Sequence, residues 1–471
     1  MFSLFRRLDY LLLYRSNLIS SLSRVQNYLP VVEWVKRLQI RHTIRRQESR
    51  MTNLLQEWKS QFQGYSRNIL LFFCFNFVWN LGLGMFGLVY NLYVKSLGYE
   101  QTTVGSIVGM TSLAAAIILI PAGIMNDRFG PKRVITFGLV FTIVALTIRS
   151  LFEAEGGMLV SSFFGGMALA VVSATILPFM ANNSTPQQRV HLFSFNMALV
   201  MIANVVGIAL GGLLCDFFQF VIGFEEILSL RFTLLIGVVF AALGVIPVAM
   251  FEKSEQEIQP RREALNWKHS WRSHKSSLQV IAIFCLLGLL SAIGGGMIVP
   301  YLNVYFEDRF EASKSAIGIV VALGQGATAI AFLIGPMIVK RFGEVRSVVY
   351  LQLCSIPFLL LTAFSANFYL SSGGYLFRQA LMNAANPFYN SVKMSYVDRS
   401  LRGLASSSGE AVFNLGWFLA APISTGLVFR HGPYYGYAYA FCITAVVYTV
   451  ISYLFYFFFG KNRFKPVEES Q

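Results

Sequence analysis

The sequence predicts an all-α polytopic membrane protein in which twelve transmembrane helices form two six-helix halves related by duplication. Three observations support this fold class. Apolar residues make up 55% of the 471 positions and charged residues only 13%, whereas soluble domains are about 25% charged. The apolar residues fall in runs long enough to cross a bilayer. A short charged motif also occurs twice, about half the chain apart.

Residues 1–67, before the first apolar run, form a basic amphipathic N-terminal extension. They hold twelve Lys or Arg against four Asp or Glu, with apolar residues between them. One interpretation is a helix that lies on the anionic inner leaflet of the membrane. The alternative is that Met51 begins the functional chain and residues 1–50 are dispensable.

A membrane helix needs about 20 apolar residues, and we expect twelve of them, numbered span 1 to span 12. Their length favours helices, because barrel strands would appear as alternating segments of about ten residues. The predicted spans are 69–94, 102–125, 133–151, 157–181, 191–218, 228–251, 278–304, 315–339, 346–365, 371–393, 404–430 and 434–459.

The charged motif lies between the second and third spans of each half. Residues 123–133 read Gly-Ile-Met-Asn-Asp-Arg-Phe-Gly-Pro-Lys-Arg, and residues 335–346 read Gly-Pro-Met-Ile-Val-Lys-Arg-Phe-Gly-Glu-Val-Arg, 212 to 213 residues later. In the first copy Gly123 and Gly130 should permit close approach and a tight turn, and Pro131 suits the first turn of span 3.

A second internal sequence similarity relates the ends of span 1 and span 7. Residues 85–93 read Met-Phe-Gly-Leu-Val-Tyr-Asn-Leu-Tyr, and residues 297–305 read Met-Ile-Val-Pro-Tyr-Leu-Asn-Val-Tyr. We therefore predict bundles at 68–251 and 278–459. A cytoplasmic linker at 252–277 would join them, and a cytoplasmic tail would follow at 460–471.

The first charged motif resembles the signature Gly-x-x-x-Asp-Arg-x-Gly-x-Lys-Arg that the major facilitator superfamily (MFS) carries between its second and third helices. The second copy is looser, because Lys340 replaces the aspartate. The resemblance extends from span 1 to the C-terminus. It implies the MFS fold, with two six-helix bundles facing each other across a central cavity that opens alternately to the two sides.

The resemblance also implies a gating role for Asp127, which in the family interacts with the start of helix 11 at the cytoplasmic gate; helix N-termini favour carboxylates. The alternative is that the motif only anchors topology and turns the chain. The candidate gate residues are Gly123, Asp127, Arg128, Gly130, Lys132 and Arg133, with Gly335, Lys340, Arg341, Gly343 and Arg346 in the second copy.

Polar side chains inside the spans are candidates for a substrate pathway, because they are costly in lipid. Arg378 in span 10 must find a carboxylate, carbonyls, water or an anionic substrate. The asparagines recur every three or four residues, which places them on one helix face, where they could equally hold helices together. The candidate pathway residues are Asn80, Asn91, Asn303, Arg378, Asn383, Asn386 and Asn414.

Glu410 is the candidate for proton coupling, because it is the only acid well inside a predicted span of the second half. Partial removal from water favours the protonated form of a carboxyl group, so such a residue could bind and release protons near neutrality. The alternative is that Glu410, about two turns from the cytoplasmic end, pairs with Arg128 or Arg133 and closes the gate.

The net charge of +15 is explained by topology rather than by nucleic-acid binding. Of the 38 Lys and Arg residues, 31 lie in the termini and the loops after the even-numbered spans through span 10. This asymmetry predicts that both termini are cytoplasmic. The five cysteines all fall in predicted spans without a CxxC pair, which is typical of small apolar helix residues.

We therefore expect a transporter of the plasma membrane rather than an enzyme. The sequence has no P-loop, and its five histidines lie in termini or loops. We expect a small-molecule substrate, proton coupling, no cofactor, no metal, no nucleic-acid partner and a monomer. Residues 207–212 partly match the family's helix 5 antiporter signature, which favours export. The alternatives are an ion-coupled symporter importing a nutrient or anion, and a transporter-derived sensor or scaffold.

Overall fold

A computed structural model describes residues 65–184, 186–252, 275–398 and 401–460. The chain divides into two units, Met1–Tyr65 and Ser66–Gln471, and the described helices belong to the second. The predicted N-terminal extension before residue 65, most of the linker, and the tail after residue 460 lie outside the described residues. The predicted domain boundaries therefore stay predictions.

The described part of the second unit is built from α-helices and short 3-10 and π segments. Spans 1 to 6 are Arg67–Ser96, Gln101–Phe129, Pro131–Leu151, Glu155–Asn182, Pro186–Asp216 with a π segment at Phe217–Ile222, and Glu226–Leu243 continued by Val245–Ala249. Spans 7 to 10 are Lys275–Gly296 continued by Val299–Tyr301 and Leu302–Phe310, then Lys314–Phe342, Glu344–Phe364, and Phe368–Ala384 continued by Asn386–Ser395. Spans 11 and 12 share the helix Arg402–Phe455, followed by the π segment Tyr456–Gly460.

Within the described residues, ten helical segments are long and apolar enough to cross a membrane. The last, Leu404–Gly460, contains Gly432 with φ 76°, where the chain turns between two helices. Span 10 is missing from the ten because its first helix, Phe368–Ala384, has 17 residues. With the turn at Gly432 and the broken span 10, the described helices account for the twelve predicted spans.

We call the side on which span 1 begins the terminal side, and the side on which it ends the far side. Spans 1 to 6 form one half and spans 7 to 12 the other. Between the halves, span 2 packs on span 11 and span 5 packs on span 8. Outward-facing aromatic side chains such as Phe137, Phe141 and Phe164 are more than 60% exposed, as expected for surfaces that meet lipid.

Span 7 is interrupted after Gly296, where the sequence predicts one continuous helix. Pro300 lacks an N–H group and follows three glycines, so the helix ladder breaks. Side chains satisfy two of the freed carbonyl groups: Thr444 Oγ1 donates to Gly294 O at 2.9 Å, and Ser424 donates to Met297 O. An irregular segment inside a membrane is tolerated where protein groups replace the lost bonds.

Candidate functional site

A central cavity lies between the two halves, beside the break in span 7. Its volume is about 180 Å³. Spans 1 and 5 line it from the first half, and spans 7, 8 and 10 from the second. The lining residues are Leu83, Gly84, Gly87, Leu88, Asn204, Ile208, Val299, Leu302, Asn303, Val321, Gln325, Tyr375 and Gln379. None of them is charged, and four are amides, so the wall is apolar with a few polar groups, as is usual for small-molecule sites.

The asparagines of span 1 divide between two roles. Asn76 is fully buried and donates to Asn196 Oδ1 at 2.6 Å, which joins spans 1 and 5 within the first half. Asn80 donates to Asn76 O at 2.8 Å and accepts from Asn204 Nδ2 at 3.3 Å. Because Asn204 lines the cavity, Asn80 supports the wall without lining it.

Asn91 and Asn303 join the halves on the far side of the cavity. Asn91 Nδ2 donates to Pro300 O at 2.7 Å, and Asn303 Nδ2 donates to Leu88 O at 2.6 Å. The donors are 212 residues apart, and so are the acceptors. The two bonds are therefore equivalent under the duplication, with donor and acceptor exchanged between the halves. We name this pair of bonds the asparagine clasp.

Beyond the asparagine clasp, an ion-pair cluster closes the far side. Lys95 of span 1 pairs with Glu307 at 2.8 Å and also with Asp308, both in span 7. Lys314 of span 8 pairs with Glu226 of span 6 at 2.6 Å and with Glu307 at 3.3 Å. Lys95 and Glu226 belong to the first half and the other three residues to the second, so three of the four ion pairs link the halves.

Arg378 lies beside the cavity in a neutral environment. It is 4% exposed. Its Nη1 donates to Gln379 Oε1 at 3.0 Å and its Nη2 to Tyr448 OH at 3.1 Å. Gln379 lines the cavity, so the guanidinium bonds to a residue of the cavity wall.

The remaining pathway candidates lie toward the terminal side. Asn383 donates to Thr328 Oγ1 at 3.3 Å and accepts from Asn386 at 3.4 Å. Asn414 donates to Glu410 O, one turn back in its own helix. Glu410 itself is exposed, so the expected partial burial is not observed, and Lys393 of span 10 lies close enough for charge attraction. Its coupling role stays a proposal.

The first charged motif is a turn of one residue rather than a loop. Span 2 runs to Phe129 and span 3 starts at Pro131, so Gly130 alone separates them, with φ 80° and ψ 150°. Lys132 donates to Phe251 O at the end of span 6. The backbone of Asp127 lies in the last turn of span 2, and its side chain lies outside the described residues.

Among the other motif residues, the turn recurs in the second copy, whereas close helix approach is found at only one of the two starting glycines. Gly343 repeats the turn with φ 77°. A Cβ atom on Gly123 would meet nothing within 4 Å, so the expected close approach is absent there; at Gly335 a Cβ would lie 2.8 Å from the Phe388 ring. The basic side chains that are exposed to solvent are Arg128, Arg133, Lys340, Arg341 and Arg346.

Sequence reasoning missed the ion-pair cluster and most of the cavity wall. Lys95 and Glu307 are 212 residues apart, as Asn91 and Asn303 are. The two residues therefore occupy equivalent positions at the ends of span 1 and span 7. Their opposite charges could have predicted the ion pair. Gln325 and Tyr375 carried none, because one polar residue in an apolar run does not reveal which helix it faces.

Comparison with known proteins agrees with this architecture. The sequence model of the Major Facilitator Superfamily matches residues 70–290 and again 284–471. Quinolone resistance protein NorA of Staphylococcus aureus (strain MSSA476) is 22% identical over 296 residues, which cover 61% of this chain and 71% of that protein. Multidrug resistance protein 1 of Bacillus subtilis (strain 168) is 23% identical over 292 residues, covering 61% of this chain and 72% of that protein.

Solved structures share the fold at low identity. The nucleoside transporter NupG superposes with a TM-score of 0.67 at 16% identity, covering 85% of this chain and 100% of that chain. An inward-facing bacterial homolog of the human lysosomal transporter Spinster gives 0.69 at 13% identity, covering 85% and 98%. The two family matches together span most of the sequence. The chain therefore belongs to the Major Facilitator Superfamily and is a multi-pass membrane transporter.

Proposed function

We propose that this protein exports a small, partly apolar organic solute in exchange for protons. The observation that carries the proposal is the cavity lined by both halves and closed on the far side by the asparagine clasp and the ion-pair cluster. Two relatives are named for quinolone resistance and multidrug resistance, which supports export. The apolar wall supports a solute with an apolar body.

The contacts suggest how access would alternate. In the described state, hydrogen bonds and ion pairs hold the halves together on the far side. Opening that side requires both bonds of the asparagine clasp and the three ion pairs between the halves to break together. A solute that contacts both halves can shift this balance only if it binds the two states with different affinity. We propose that the far side is extracellular, as the charge asymmetry predicts, and that the turns at Gly130 and Gly343 face the cytoplasm.

Filling the cavity should stop transport without unfolding the protein. Gly87 lines the cavity, and a Cβ atom placed there would meet nothing within 4 Å. Gly87→Leu should therefore occupy cavity volume while keeping the helix, where leucine is favoured over glycine. Gly288 of span 7 is equally open but does not line the cavity, so Gly288→Leu is the matched control.

The assay follows uptake into everted membrane vesicles after an acidic interior is imposed. Radiolabelled benzenesulfonate, methyl phenyl sulfone and phenyltrimethylammonium serve as an anionic, a neutral and a cationic probe. We expect at least one probe to accumulate with the parent and with Gly288→Leu, and at least tenfold slower uptake with Gly87→Leu. Equal uptake in both variants would remove the cavity from the pathway. Accumulation only in right-side-out vesicles with an acidic exterior would reverse the direction.

Glu410 is the residue that we propose for proton coupling, because it is an acid within span 11 that can exchange protons with water on the terminal side, although it lacks the burial that the sequence predicts. Glu410→Gln should abolish uptake driven by the pH gradient and leave downhill exchange of the same probe unchanged. Glu344, another terminal-side acid, accepts a hydrogen bond from Ser391 at 2.8 Å, and Glu344→Gln should keep both activities. Loss of both activities in Glu410→Gln would make Glu410 a gate residue.

Import is the alternative direction, and Arg378 favours an anionic solute without favouring either direction. A buried guanidinium with neutral partners can bind an anionic solute in either direction of transport. The vesicle orientation that accumulates the probe therefore decides between export and import, independently of which probe is carried.

A further inference from the structure

The surroundings of Arg378 leave its charge uncompensated. Both of its hydrogen-bond partners, Gln379 and Tyr448, are neutral, and its Nε has no partner. Within the part of the chain that the structure describes, no carboxylate forms an ion pair with it. A charged group inside a membrane protein is costly unless it is paired. Arg378 therefore has unused capacity to bind an anion.

None of the described residues that line the cavity beside Arg378 is acidic. Its polar side chains are four amides and one tyrosine. Gln379 connects the two features, since it lines the cavity while its carbonyl oxygen accepts from the guanidinium. If the Gln379 side chain turned aside, an anionic group in the cavity could take its place at Nη1. A cationic solute at the same point would be repelled by Arg378.

We propose that the cavity binds a small organic anion, with an apolar body against the aliphatic wall and one carboxylate or sulfonate group at Arg378. This proposal rests on the cavity being the transport site. Its volume of about 180 Å³ is below the roughly 300–1,000 Å³ of most ligand pockets, so the solute is small. Arginine suits such a group because its planar fork can bind two oxygens of a carboxylate or sulfonate at once.

The test is thermal unfolding of the full chain in detergent with a matched set of phenyl compounds. Benzoate and benzenesulfonate are the anionic probes, methyl phenyl sulfone the neutral probe and phenyltrimethylammonium the cationic probe. We expect the anions to raise the melting temperature of the parent in a saturable way, and the other two probes to raise it much less. Equal stabilisation by the neutral or cationic probe, or none by either anion, would overturn the proposal.

Three variants assign the effect to the guanidinium. Arg378→Met should raise the anion concentration that gives half of the maximal stabilisation at least tenfold. Arg378→Lys should restore part of the affinity. Arg149 of span 3 is a matched control, because its guanidinium lies 3.9 Å from the Tyr90 ring centre and its Nε also lacks a partner. Arg149→Met should bind the anions as the parent does. Unchanged anion binding by Arg378→Met would overturn the proposal.

The same assay separates failure of this inference from failure of the proposed function. If the neutral or cationic probe stabilises the parent and Gly87→Leu abolishes that effect, the cavity is a binding site and only the anion proposal falls. If every effect survives Gly87→Leu, the cavity is not the binding site and both proposals fall.

Discussion

At the scale of single residues, the asparagine clasp links the two halves directly through side-chain to backbone hydrogen bonds. Asn91 and Asn303 are 8% and 6% exposed, and each donates to a backbone carbonyl of the opposite half. Pro300 O lies at the break in span 7, whereas Leu88 O lies inside the continuous helix of span 1. Breaking one such buried bond costs about 1–3 kcal/mol.

We expect Asn91→Leu and Asn303→Leu each to weaken the closed far side. The closed state alone loses the bond, because in the open state water can replace it. Labelling of a cysteine at position 87 by an impermeant maleimide applied from the far side should therefore accelerate by about fivefold or more. The measurement uses a background in which the five native cysteines are replaced by serine.

Asn76→Leu is the control for the asparagine clasp, since Asn76 is buried and bonds to Asn196 within one half. It should lower stability without changing the labelling rate. If all three variants accelerated labelling equally, general destabilisation would explain the effect and the clasp would lose its role in closing the far side.

At the scale of elements, the turns at Gly130 and Gly343 determine where the chain reverses direction, between spans 2 and 3 and between spans 8 and 9. Gly130 has φ 80° and ψ 150°, and Gly343 has φ 77° and ψ 162°. This region of backbone space is nearly exclusive to glycine, and other residues pay about 1–3 kcal/mol to adopt it. The two copies of the motif thus share a backbone requirement even though their charges differ.

Gly130→Ala and Gly343→Ala should each lower the melting temperature in detergent, because alanine is strained at these dihedral angles. Gly123→Ala is the control from the same motif: a Cβ there meets nothing within 4 Å, and alanine is favoured over glycine inside a helix by about 0.5–1 kcal/mol. We expect Gly123→Ala to unfold at the same or a higher temperature. A drop as large as that of Gly130→Ala would contradict the assignment of strain to the turn.

The breaks in spans 7 and 10 show what periodicity cannot predict. The apolar runs fix the number and approximate position of the spans, because length and composition decide whether a helix can cross lipid. Span 10 breaks at Ala385, before Asn386 and Pro387, and span 7 breaks before Pro300. A proline inside an apolar run permits a kink as well as a break, and the outcome depends on which side chains reach the freed carbonyls.

At the scale of the whole molecule, the fold and family followed from the sequence, whereas the cavity did not. Duplicated motifs and apolar runs are one-dimensional signals, and they predicted the twelve spans and the transporter family. The cavity wall comes from five helices of both halves, and only the packing selects which face of each helix contributes. Arg378 was found from sequence because a charge inside a span is rare; the neutral amides beside it were not.

Charge reversal tests the ion-pair cluster as a far-side closure. Lys95→Glu places a third acid beside Glu307 and Asp308, so like charges should push the halves apart. Labelling at position 87 from the far side should then accelerate. The double variant Lys95→Glu and Glu307→Lys restores opposite charges and should return the rate most of the way to the parent value. Reversing Arg430, a far-side charge exposed to solvent, should have little effect.

The asparagine clasp and the ion-pair cluster differ in whether the two halves must have different sequences. Two copies of one half-length chain could form the asparagine clasp, because each copy would give one donor and receive one. Two identical copies could not form the Lys95–Glu307 ion pair, because positions 95 and 307 are equivalent under the duplication and would carry the same charge. The clasp is thus compatible with a homodimer of half-length chains, whereas the ion pair requires two halves that differ in sequence. In the present chain, each half therefore has a partner for this ion pair that a second copy of itself could not replace.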